Sequence, residues 1–131
     1  MTQTEFSVFA LFFIAPIMYE RCHYSWRPSD FQFTPIRTLT GLQIHHAHWG
    51  LIWVAISTVM FLVSERNLMS IGLAGLGWGL ISDEIIPHLR MPSNDRNLEL
   101  KVYAESESAS IKLAQTVLII IWLISMIGQP H

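Results

Sequence analysis

Residues 44–86 read IHHAHWGLIWVAISTVMFLV, then SERN, then LMSIGLAGLGWGLISDEII: two apolar runs joined by a short polar link. Ile44–Val63 has the roughly 20-residue length with which a helix crosses a hydrocarbon core, and Leu68–Ile86 is similar. Backbone groups in lipid must be satisfied within their own segment, so both runs read as helices and not strands. Ser64-Glu65-Arg66-Asn67 is a tight connection, so the second run must turn back along the first. The centre of the fold is therefore an antiparallel helical hairpin.

Two further apolar segments flank it. Thr4–Tyr19 is short, with Pro16 near its end as a kink. Ile111–Ile127 is longer and centres on Leu118-Ile119-Ile120-Ile121-Trp122-Leu123-Ile124. The expected architecture is a single membrane domain over residues 1–131, an all-α bundle of about four transmembrane helices. Its spans are expected near 4–19, 44–63, 68–86 and 111–127, with two long loops on one side. Composition agrees: 51% of residues are hydrophobic and 14% charged, against about 25% charged in ordinary soluble domains. Mean hydropathy is +0.38. A net charge of −2 carries no basic footprint for nucleic acid. Cys22 is the only cysteine, which excludes an internal disulfide and reads as a packing residue. The first segment follows an acidic, Lys- and Arg-free start, and no small-x-small cleavage site follows it, so it reads as retained.

The loops are Glu20–Gln43 and Arg90–Ser110. The first, with Trp26 and Arg27-Pro28-Ser29-Asp30, is expected to be ordered against the membrane surface. In the second, Leu98-Glu99-Leu100-Lys101-Val102-Tyr103 alternates in the manner of a short strand or extended segment. Glu105-Ser106-Glu107-Ser108-Ala109-Ser110 then supplies an acidic, capping-rich entry to the last helix. Arg21, Arg27, Arg37, Arg90, Arg96, Lys101 and Lys112 fall on the side of these loops, and only Arg66 on the other. By the positive-inside rule the loop side is cytoplasmic and both termini are outside. On the third segment, Gly75 and Gly79 make a small-xxx-small step, which marks a close approach by another helix, in this chain or in a partner.

The hairpin also sets the candidate site. The start of one helix and the end of the next lie on one membrane face, which gathers His45, His46, His48, Asp83, Glu84 and His88. On regular helices His45 and His48 share a face, His46 points about 100° away, and Glu84 and His88 share a face. Pro87 disturbs the turn between that last pair. Imidazole and carboxylate donors at these spacings suit a transition metal such as Cu, Zn, Fe or Mn. The competing reading is structural: interfacial histidines and acids that bond loop backbone and pair with Arg90 or Arg96, which is cheap at a membrane edge. The Glu-x-x-His spacing of di-iron bundles is absent, since the step from Glu84 to His88 is i to i+4.

The order His45-His46, hairpin, Gly77-Trp78-Gly79-Leu80-Ile81-Ser82-Asp83-Glu84 resembles small prokaryotic, especially archaeal, polytopic membrane proteins. In these a His-His start to one helix pairs with a Gly-rich helix ending in Asp-Glu. The resemblance covers the central hairpin and implies pairing of those helices, with no activity attached. Size and architecture are also similar to small accessory subunits of membrane oxidoreductases, including the copper membrane monooxygenases of ammonia and methane oxidisers. Three functions are then expected to compete. The favoured one is a structural or accessory subunit whose partners are other membrane subunits and the bilayer. The others are a stand-alone metal-dependent membrane enzyme, and a b-type haem anchor with His48 and His88 as axial ligands. No nucleophile motif or phosphate loop favours an enzyme.

Overall fold

The computed structural model describes residues 1–26, 46–64, 66–90 and 96–127, leaving aside the side chains of 23–26, 88 and 96–100. Among these residues the chain is entirely helical: α1 Gln3–Trp26, α2 His46–Val63, α3 Leu68–Arg90 and α4 Arg96–Ile127. Three stretches are long and apolar enough to cross a membrane: His46–Val63, Leu68–Pro87 and Lys101–Ile127. The chain is an all-α membrane bundle.

Local chemistry starts the helices where they start. Thr2 and Glu5 form a reciprocal cap on α1, each side chain accepting from the other's backbone N–H at 3.2 and 2.6 Å. Asn67 caps α3 in the same way, accepting from the Ser70 N–H at 2.9 Å. α1 and α3 run parallel, Phe9 beside Gly75 and Phe13 beside Gly79. α2 runs antiparallel to α3, with Gly50 beside Gly77 and the Ser57 hydroxyl donating to the Ser70 carbonyl at 2.8 Å. α4 is also antiparallel to α3, since Tyr103 meets Asp83 at one end and Ile121 lies by Ile71 and Arg66 at the other. The connections 27–45 and 91–95 therefore leave one end of the bundle, and the 64–67 link leaves the other.

α3 is the hub. Each of the other helices packs against it, while they touch one another little. Its glycines make this geometry. A Cβ on Gly75 or Gly79 would run into the carbonyl oxygens of Phe9 and Phe13, and one on Gly77 would sit 2.6 Å from the Gly50 oxygen. The small-xxx-small face is thus occupied by α1, inside the chain. On the α4 side, Ser106, Ser110 and Ala114 form the buried stripe. The apolar core is small: Phe9, Phe13, Ile17, Ile71 and Ala114, with the Phe9 and Phe13 rings 5.8 Å apart.

Several elements are longer than the apolar pattern indicates. α1 continues through Glu20–Trp26, expected as loop, and α3 continues past Ile86 through Pro87 to Arg90. Charged residues end an apolar span, but they do not end a helix when they have partners along it. The stretch 98–103, expected to be extended, is helical. A lone strand here has no neighbour for its backbone groups, whereas the helix satisfies them internally and sets Lys101 3.8 Å from Glu105. Cys22 is exposed and is not a packing residue.

Candidate functional site at the polar end of the bundle

The last turns of α1 and α3 meet the first turns of α2 and the early part of α4. Arg21 is the centre of the cluster. Its Nε donates to Asp83 Oδ1 at 2.8 Å and a terminal nitrogen lies 2.7 Å from the same oxygen. The guanidinium also donates to the carbonyls of Tyr103 and Asp83, both at 3.4 Å, and lies 4.3 Å from the Tyr103 ring centroid. Tyr103 completes the triangle by donating its hydroxyl to Asp83 Oδ2. Asp83 is almost fully enclosed, its side chain only 4% exposed. Removal of a carboxylate from water is costly unless it is paired and hydrogen-bonded, and here both oxygens are engaged. This node ties α1, α3 and α4 together.

A second node ties in α2. His46 Nδ1 lies 2.7 Å from Glu20 Oε1, which joins the first residue of α2 to α1. Glu84 accepts from the Ala47 N–H at 2.5 Å. The first N–H groups of a helix have no partner within it and carry a partial positive charge. α2 begins without Ser, Thr, Asp or Asn in its first turn, and Glu84 of α3 supplies the missing acceptor from across the hairpin. Among the described residues the cluster therefore holds three buried carboxylates, Glu20, Asp83 and Glu84, around the Arg21 guanidinium and the His46 imidazole. Chemically it can neutralise helix ends, bind α1 to the hairpin, and share a proton between Glu20 and His46.

The sequence-derived candidates divide as follows. His46, Asp83 and Glu84 do come together at one end, as the hairpin geometry requires. Their partners differ from those expected. Among the described side chains Asp83 pairs with Arg21, and the side chain of Arg96 lies outside them. His46, expected to point away from the ligand face, is the histidine that reaches across to another helix, and His48 is exposed. His45, His131 and the side chains of His23 and His88 lie outside the described residues. Among the described residues, no group of His, Cys, Asp and Glu side chains forms a set that could hold a metal ion. Arg21, Glu20 and Tyr103 were missed because they sit in segments read as loop. The sequence does carry a signal for the first two: Glu20-Arg21 follows the first apolar run directly, at the end where the Asp83-Glu84 pair must lie. No family model, curated protein or solved structure matches the chain.

Proposed function

We propose that the chain is an accessory subunit of a larger membrane assembly, of the oxidoreductase type that its size and architecture resemble. The observation that carries this reading is on α4. Tyr103 lies level with Asp83, and Ile121 level with Ile71 and Arg66. Lys112 is midway between Tyr103 and Ile121 in sequence, so it runs past the glycine-rich middle of α3. There α4 turns Glu107, Lys112 and Gln115 outward, exposed, at the depth where α1, α2 and α3 turn out Phe, Leu, Ile and Val. A lysine at the centre of a membrane helix costs about 2.5–3.5 kcal/mol on insertion scales. A protein surface that covers this stripe removes that cost; lipid does not. The polar end supports the same reading from the other direction, since Arg21, Asp83, Tyr103, Glu20 and His46 are engaged in holding helices together.

In this reading α1 lies in the bilayer too, because its outer residues Leu11 and Ile14 are exposed beside the middle of α3. The 27–45 and 91–95 side is cytoplasmic, on the strength of Arg27, Arg37, Arg90 and Arg96, while Lys112, counted to that side in the sequence, falls inside the α4 span. Native mass measurement after mild detergent extraction tests the proposal. The chain should run within a larger assembly; a chain that runs alone overturns it.

A further inference from the structure

We propose that the outer face of α4 pairs, in parallel, with the same face of a second copy of this chain. This rests on the subunit reading above and names the partner. The exposed residues Ala104, Ser108, Ile111 and Gln115 recur at alternating steps of four, three and four. That is the spacing of the seam between two helices that wind around each other. They line a shallow concavity along α4 together with Glu105, Glu107 and Lys112. All are exposed, and among the described residues neither Glu107 nor Lys112 forms an ion pair.

The charges say what fits. Two copies inserted in the same membrane orientation bring their α4 helices together parallel, related by an axis along the membrane normal. In parallel pairs, a residue flanking the seam meets the residue five positions later on the partner helix, and charge pairs there set partner and orientation. Glu107 and Lys112 flank opposite sides of this seam and are five apart. Each copy therefore offers an acid to the other's lysine, twice per pair. Ala104 and Ser108 are small enough for close approach at the polar end, where the helices carry most charge. Gln115 of each copy meets its counterpart deeper in, where paired side-chain amides hydrogen-bond. The face is complementary to itself.

The experiment uses the full chain in native membranes, with Cys22→Ala as background because Cys22 is exposed. Ser108→Cys and Gln115→Cys should each cross-link to a dimer on mild oxidation, and Leu62→Cys on the outer face of α2 should not. In detergent, Glu107→Lys and Lys112→Glu should each weaken the dimer at least tenfold, and the two together should restore it. Restoration distinguishes a charge pair from general damage to α4. A larger native assembly that gives no cross-link through α4 overturns the self-pairing and leaves the subunit reading intact. A chain that is monomeric in native mass and gives no cross-link overturns both. Cross-linking without charge-swap rescue overturns the assigned Glu107–Lys112 pairing.

Discussion

α2 and α3 are consecutive, antiparallel and both able to span a bilayer, yet the structure uses them in opposite ways. Half of the α3 span is buried inside the bundle, against 11% of the α2 span. α2 shows Leu51, Ile52, Ile56, Val59, Leu62 and Val63 to the outside, whereas α3 buries Gly72, Gly75, Gly77 and Gly79. In water the more apolar helix would be the interior one. In lipid no hydrophobic force brings helices together, so the helix that lets others approach closely becomes the hub. Burial here follows smallness and polarity. Among the described residues the buried polar ones, from Glu20 and Ser57 to Ser125, outnumber the five apolar ones of the core.

The sharpest way to break this contrast is at the polar end of α3. Asp83→Ala leaves the Arg21 guanidinium, 10% exposed, without its counter-ion. The loss of one partner from a buried pair costs about 3–5 kcal/mol, so unfolding in mild denaturant should shift by that amount. A double Arg21→Met, Asp83→Leu variant removes both charges and should recover much of the loss. If the single and double variants are equally damaged, packing and not charge holds this end. Next comes the glycine face. Gly79→Leu forces side-chain atoms onto the Phe13 carbonyl and Pro16, and backbone cannot yield as a side-chain tip does. The loss should be about 3 kcal/mol, at the upper end of overpacking costs. Thermal melting at the level of the unaltered protein would mean that α1 does not lie on that face.

How much of this was legible in the sequence depends on the length scale of the signal. The hairpin, the parity of the loops and the close approach at Gly75 and Gly79 follow from patterns a few residues long. The lipid environment enforces those patterns. Helix ends were not legible, because hydropathy reports where an apolar span stops and not where a helix stops. Glu20–Trp26 and Arg96–Ser110 were read as loop for that reason. The partners missed at the polar end follow directly. With Arg21 and Tyr103 assigned to loops, Asp83 seemed to have only distal arginines to meet. With α2 starting in a histidine cluster and not in a capping residue, the bond from the Ala47 N–H to Glu84 had no signal in the sequence. Such partners depend on helix rotation, which side-chain spacing along one helix does not fix.

A smaller effect is expected at the polar bond that joins the far halves of α2 and α3. Ser57 is buried and donates to the Ser70 carbonyl. Ser57→Ala removes the donor but leaves a carbonyl that also closes α3's own ladder. A net change of about 1 kcal/mol is expected from denaturant titration. A loss above about 3 kcal/mol would make this bond, and not the Gly50–Gly77 approach, the main tie between the helices.

The smallest effect is expected on the outside of α2. Leu62 is 80% exposed, and in a bilayer its neighbours are lipid chains as apolar as itself. Leu62→Ala therefore loses little on either side of the folding equilibrium. Its stability should stay within about 0.5 kcal/mol of the unaltered protein, as surface substitutions do. The same change at Ile71 of α3, which is buried with Phe9 and Phe13, should cost about 2–5 kcal/mol through the cavity left behind. The ratio between the two sites measures the contrast between the helices directly. Should Leu62→Ala weaken the extracted assembly while it leaves the isolated chain unchanged, the outer face of α2 is a contact with another subunit. Should it destabilise the isolated chain by more than about 1 kcal/mol, α2 lies closer to the other helices than its exposure indicates, and the picture of α3 as sole hub is broken.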